Sequence, residues 1–125
     1  MIKITKEKAL ELHAYMRKRT GGADGLRSEE LLTSALEAPF ASFGGKELYP
    51  TLEEKAARLC HSLISNHPFA DGNKRIGMFL MLIFLKVNGR YPAFSSADVE
   101  RIGLALAAGE IGYDELVLAL NLFKK

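Results

Sequence analysis

The segment Asn73-Lys74-Arg75-Ile76-Gly77-Met78-Phe79-Leu80-Met81-Leu82-Ile83-Phe84-Leu85-Lys86-Val87-Asn88-Gly89 decides the fold of this chain. From Ile76 to Leu85 every residue except Gly77 is apolar. A helix that is apolar on all sides belongs at the centre of a packed bundle. The run is only about half of the roughly 20 residues a membrane span requires. Gly89 stands where a helix ends in a left-handed C′ residue. The segment therefore reads as a buried helix from near Asn73 to about Asn88.

The flanking sequence supplies helices to surround it. Thr5 can cap a first helix running to about Lys18, with Leu10, Leu12 and Met16 among its apolar residues, and Gly21-Gly22 ends it. Ser28 caps a second, with Glu29 and Glu30 in its first turn and Pro39 closing it. Thr51 and Glu54 form a capping box for a third, in which Leu52, Ala56, Leu59, Cys60 and Leu63 keep the spacing of one buried face. That helix fades near Ser65-Asn66. Ser95 or Ser96 caps a fifth, carrying Val99, Ile102, Leu104 and Leu106. A sixth, from about Tyr113 to Phe123, carries Leu116, Leu118, Leu120 and Leu122. Between the second and third helices, Gly44-Gly45 flanked by Phe43 and Leu48 has the form of a tight hairpin turn. The expected fold is all-α, a single domain over residues 1–125, with a helical bundle around a buried central helix and one small β-hairpin.

Composition fits that reading. The chain has 125 residues, 48% of them apolar and 26% charged, the balance of one soluble globular domain. The net charge of +2 gives no ground for direct nucleic-acid binding. The short cluster Arg17-Lys18-Arg19 reads as a solvated helix end, where cations suit the dipole. A single cysteine, Cys60, excludes an intramolecular disulfide, and its place on an apolar stripe speaks against a thiol nucleophile. No apolar core region follows Met1-Ile2-Lys3-Ile4-Thr5, so no signal peptide is read there. A cytoplasmic protein without membrane contact is expected.

The chemistry gathers where the central helix begins, in His67-Pro68-Phe69-Ala70-Asp71-Gly72-Asn73-Lys74-Arg75. The first turn of a helix has unpaired N–H groups and partial positive charge, so the cations Lys74 and Arg75 are disfavoured there by roughly 0.3–1 kcal/mol each. A bound anion reverses that balance, because amides, dipole and both side chains then converge on a phosphate. Gly72 allows close backbone approach, and Asn73 offers a donor and an acceptor. Asp71 places a carboxylate at the edge, and one carboxylate with phosphate oxygens is a usual way to hold Mg²⁺. His67 supplies a base suited to taking a proton from a hydroxyl, and Pro68 keeps it off helical geometry. Phe69 is expected to plug into the core and anchor the loop. Singly, these residues have plainer roles, such as an N-cap for Asp71 or a surface position for His67; the conjunction favours a phosphate-transfer site. His13 and His61 lack such sequence neighbours and read as structural. No zinc cluster, Walker sequence or dinucleotide fingerprint is present.

That nine-residue motif resembles the signature of the Fic/Doc superfamily, specifically its death-on-curing branch. The resemblance extends to Phe43 through Thr51 with Glu54-Lys55-Ala56, similar to the family's flap and following helix, and to Gly25-Leu26-Arg27, Leu31-Leu32 and Ser34-Ala35-Leu36. It covers residues from about 20 to 90. The resemblance implies transfer from ATP to a protein hydroxyl: Fic members mostly transfer AMP, whereas the death-on-curing toxin acts as a kinase on a translation elongation factor. Carried over, His67 matches the catalytic base and Asp71 the residue orienting Mg²⁺. Gly72 and Asn73 match the anion-hole turn, and Lys74 and Arg75 the phosphate-binding pair. The hairpin of Gly44, Gly45 and Lys46 matches the flap that docks the target by main-chain pairing. AMP-transferring members have Gly where Lys74 stands and a second Arg where Met78 stands, which tilts this chain toward the kinase-like reaction. Death-on-curing members tend to have Ala where Gly72 stands, so this loop is intermediate. The nearest match to the family's self-inhibitory motif, Ser96 to Glu100, is followed by Arg101 rather than Gly or Asn. Control by a separate antitoxin is therefore expected, in a toxin–antitoxin pair. AMP transfer, and an inactive nucleotide-binding or interaction module, are the alternatives.

Overall fold

The computed structural model describes residues 1–22 and 25–122. Six α-helices and one hairpin follow in chain order: α1 Lys6–Thr20, α2 Glu29–Glu37, strands β1 Ser42–Phe43 and β2 Lys46–Glu47, α3 Leu52–Asn66, α4 Asn73–Val87, α5 Ser96–Ala107 and α6 Tyr113–Leu122. A single turn of 3-10 helix, Ala38–Phe40, follows α2 with Pro39 inside it. The all-α fold with one antiparallel hairpin is the one expected. The expected reach of α6 to Phe123 lies outside the described residues.

The helix starts are those the side chains dictate. The Thr5 and Ser28 hydroxyls accept from the Lys8 and Leu31 amides. Thr51–Glu54 and Ser95–Asp98 each close a reciprocal capping box. Such caps are worth about 1 kcal/mol apiece. The Ser95 box also decides between the two serines weighed for α5.

The apolar run in α4 forms the core: Ile76, Met78, Leu80, Met81, Phe84 and Leu85 are buried, while Phe79 and Leu82 are partly so. α4 shares the centre with α3, which packs against α2, α4, α5 and α6. The two central helices approach closely at Gly77. A Cβ there would lie 3.1 Å from Ile64 Cγ1 and 3.2 Å from the Cys60 carbonyl oxygen. The one small residue in the apolar run is thus the contact point between the two helices. Cys60 is buried in this seam, 3.6 Å from Met78 Sδ, and burial pushes its thiol well above the ordinary range. That agrees with its exclusion as a nucleophile. Among the described residues, no helix is long and apolar enough to cross a membrane.

Candidate active site

Between α3 and α4 the chain runs through the motif, and its loop is fastened from several sides. His67 ends α3 with φ 53° and ψ 53°, and it is the one non-glycine residue at positive φ among those described. That left-handed geometry costs an L-residue roughly 1–2 kcal/mol, so its neighbours must hold it there. Arg27 Nε donates to the His67 carbonyl at 2.7 Å, and its Nη2 to the Asn66 carbonyl at 3.0 Å. The Arg27 and Ser28 amides donate to the Pro68 carbonyl at 2.7 and 3.0 Å. The Ala70 amide donates to the Gly25 carbonyl at 3.1 Å. Leu26 and Phe69 form an isolated antiparallel bridge. Residues 25–28, just before α2, are thus stitched to the motif loop.

A second set of contacts comes from α1. His13 is buried and stacks on Phe69, ring centroids 3.8 Å apart and planes 8° from parallel. Its Nε2 donates to the Asp71 carbonyl at 2.8 Å. Arg17, one turn further along, places Nη1 3.4 Å from Asp71 Oδ2. Phe69 is 1% exposed, plugged in as the sequence predicts.

The His67 imidazole has a defined orientation. Its Nδ1 lies 3.0 Å from the Ile64 carbonyl oxygen. A carbonyl can only accept, so Nδ1 carries the proton and the neutral ring has its lone pair on Nε2. The residue is exposed and lines a cavity of about 1030 Å³. The cavity is walled by the end of α1, the end of α3, residues 70–75 and the α5–α6 turn from Leu106 to Gly112. Its size is at the upper end of the usual range for small-molecule sites, about 300–1,000 Å³.

The mouth of α4 opens into this cavity. Gly72 is its N-cap at φ 80°, no side chain caps the helix, and no acid sits in its first turn. Lys74 and Arg75 both line the cavity. The structure thus brings His67, Asp71, Gly72, Asn73, Lys74 and Arg75 to one concavity.

Three expectations need correction. The Asn73 carboxamide is not presented to a ligand: Oδ1 accepts from the Phe69 amide at 3.0 Å and Nδ2 donates to the Phe69 carbonyl at 3.1 Å. Its side chain closes the loop on itself, and what Asn73 offers the cavity is its place at the helix mouth. Arg17 is not part of a solvated helix end; it is buried, while Lys18 and Arg19 are exposed. His61, read as structural, lines the cavity, and burial followed by the nearby Arg58 charge lowers its pKa.

The hairpin stands apart from these residues. Gly44 and Gly45 form its turn at φ 58° and 79°, with Ser42 opposite Glu47 and Phe43 opposite Lys46. Gly44, Gly45 and Lys46 are exposed and do not line the cavity. Lys55 on α3 fastens the hairpin's base: fully buried, it donates to Glu47 Oε1 at 2.8 Å and to the Tyr49 carbonyl. Helical patterning does not assign Lys55, Arg17 or His13 as positioning groups: Lys55 stands within the stretch resembling the family's flap and following helix and Arg17 within a cationic cluster, and their partners lie elsewhere in the fold.

The donor set bears on a metal as well. Among the described residues no three His, Cys, Asp or Glu side chains gather into a metal cage. Asp71 is a single carboxylate beside the helix mouth, its side chain 56% exposed. Mg²⁺ commonly takes one or two carboxylates together with substrate phosphates and keeps several waters. The residues fit a metal that arrives with phosphate oxygens, and do not form a preassembled site.

A cavity lined by a fixed imidazole, a carboxylate and an uncapped cationic helix mouth, on a six-helix frame with a hairpin, defines a class. The Fic/DOC family profile matches residues 3–85, and the chain belongs to that family. Within it, the chain is similar to Toxin Doc of Mycolicibacterium smegmatis, with 41% identity over 81 residues. The match covers 65% of this chain and 62% of that protein, so the chain matches less than two thirds of its relative's length.

Proposed function

We propose that the chain is a Doc-type toxin that transfers the γ-phosphoryl group of ATP to a hydroxyl side chain of a target protein. The observation that carries this reading is the pairing of His67 and the α4 mouth. An imidazole with Nδ1 committed to the Ile64 carbonyl leaves Nε2 as acceptor, beside an uncapped helix start bearing Lys74 and Arg75. The amides of that first turn, the dipole and the two cations receive the triphosphate. The target hydroxyl oxygen attacks the γ-phosphorus in line, the bond from that phosphorus to the β–γ bridging oxygen breaks, and ADP departs. His67 Nε2 takes the hydroxyl proton. Asp71 would hold Mg²⁺, which neutralises charge on the phosphate oxygens when bound. The protein's contribution is positioning and charge neutralisation.

Met78 favours phosphoryl over AMP transfer. It occupies the position of the second arginine of AMP-transferring relatives, and here it is 1% exposed in the core against Cys60. The hairpin Gly44-Gly45-Lys46 would dock an extended segment of the target, a translation elongation factor by the family resemblance, through an unpaired strand edge. A separate antitoxin would restrain the toxin in the cytoplasm, as befits a relative of Toxin Doc.

Incubation with cell lysate and ATP labelled at either the α or the γ phosphate tests the reaction. Label from γ is expected on one protein band and none from α; label from α establishes AMP transfer instead. His67→Ala should bind ATP as wild type does and lose transfer by about 10²–10⁴-fold, the usual worth of a positioned base. Near-wild-type transfer in that variant would remove His67 as the base.

A further inference from the structure

Arg17 is a buried cation that the proposed reaction leaves without a role. Its side chain is 6% exposed, lies on the inner face of α1 and lines the cavity. Nη2 donates to Thr20 Oγ1 at 2.7 Å, and Nε has no hydrogen-bond partner among the described residues. Nη1 faces Asp71 Oδ2 at 3.4 Å. Two glycines close over the guanidinium. A Cβ at Gly22 would stand 2.7 Å from Nη1 and 2.6 Å from Asp71 Oδ2, and one at Gly72 would stand 2.8 Å from Nη1. Both glycines have positive φ, 95° and 80°. The backbone thus passes close to the Arg17–Asp71 pair at two glycines, where a side chain would be strained by its positive φ and would displace the guanidinium.

This arrangement resolves an electrostatic conflict. Asp71 stands at the rim of a site that, on the proposed function, must receive a triphosphate. A bare carboxylate there repels it. A buried guanidinium, for its part, is costly without a countercharge. We propose that Arg17 is a positioning residue and the internal counterion of Asp71. Together with the Gly72 amide, which donates to Asp71 Oδ1 at 2.8 Å, it fixes the carboxylate at the rim, and it offsets that carboxylate's charge while no Mg²⁺ is bound, so that Lys74, Arg75 and the α4 mouth set the sign of the field. The inference rests on the proposed phosphate site for its ligand consequence, but the ion pair itself is testable without any ligand.

A double-mutant cycle with Arg17→Met and Asp71→Asn tests it through two readouts. The first is thermal stability of the free protein. Asp71→Asn strands a buried charge and should lower Tm by about 4 °C. Adding Arg17→Met should restore most of that loss, because the charge that needed a partner is gone. The second is affinity for ATP in EDTA, so that no metal intervenes. Arg17→Met should weaken ATP binding on the order of tenfold by leaving Asp71 uncompensated. Asp71→Asn alone should tighten it, and the double variant should return near wild type. A purely structural Arg17 gives no such rescue by a second substitution. Losses that simply add in both readouts overturn the proposal. So does a Tm for Asp71→Asn equal to that of wild type, which decides the matter even if Arg17→Met does not fold. If wild type binds no ATP, the proposed function fails, while the stability cycle still confirms or refutes the counterion pair.

Discussion

At the scale of single residues, the candidate site is held in shape by a group that does not line its cavity. Arg27 spans two carbonyls at the end of α3 and holds His67 in a conformation it would not adopt alone. Arg27→Met should leave the imidazole chemistry intact but let the ring wander. A displacement of about 1 Å can cost on the order of a hundredfold in rate, so kcat should fall by up to that factor with the pH profile unmoved. Steady-state kinetics across pH read both. His61 allows a prediction from its lowered pKa, caused first by burial and then by Arg58. Between its folded value and the ordinary 6.5 the unfolded chain binds more protons, so stability rises with pH through that window and is lost as pH falls through it. His61→Gln should flatten the slope of denaturant midpoint against pH just below 6.5. An unchanged slope would place the burial effect elsewhere. His67, Asp71, Gly72, Lys74 and Arg75 were legible as a cluster because they lie together in sequence. His13, Arg17 and His61 were not, because the fold brings them in from α1 and from a different turn of α3.

At the scale of elements, caps and periodicity predicted the helices well, since those signals act within a few residues. α1 is the instructive exception. Its buried face is Ala9, His13, Met16 and Arg17, a regular i, i+4, i+7, i+8 stripe carried half by polar residues. Of the apolar residues read from the sequence, Met16 is on that face, while Leu10 and Leu12 pack only partly against the core. The polar stripe exists because α1 covers the motif loop as well as the core. The hairpin shows the same division. Its turn is written in Gly44-Gly45, yet its attachment to the bundle is Lys55, buried at 2% exposure among Glu47, the Tyr49 carbonyl and Phe40. Lys55→Met keeps the stem, drops the charge, and frees a Glu47 that is already solvated. On the proposed function, KM for the protein target should rise while ATP affinity stays unchanged. Faster hydrogen exchange at residues 42–48 would report the released hairpin. Equal exchange in the two proteins would show that the strands hold themselves.

At the scale of the whole molecule, the cavity is a joint product of four segments: the end of α1, the end of α3, the start of α4 and the α5–α6 turn. A ligand that bridges them stabilises the folded state by RT ln(1 + [L]/Kd), about 2.7 kcal/mol at a hundred times Kd. On the proposed function, Mg·ATP should raise Tm by several degrees in wild type and equally in His67→Ala. Gly72→Val should fold less stably and show no such rise, because a Cβ at φ 80° is strained and meets Arg17. A full ATP response in Gly72→Val would move the phosphate site away from the α4 mouth. The sequence by itself determined the helix starts, the apolar rod of α4, the hairpin turn and the cluster of polar residues at the α4 mouth, because each is set by residues close along the chain. Tertiary structure alone decided which polar groups serve that motif. The Asn73 carboxamide turned inward to Phe69, and Arg17 left solvent for Asp71. A buried polar group takes whatever partner packing brings within about 3 Å, and no local pattern records that choice.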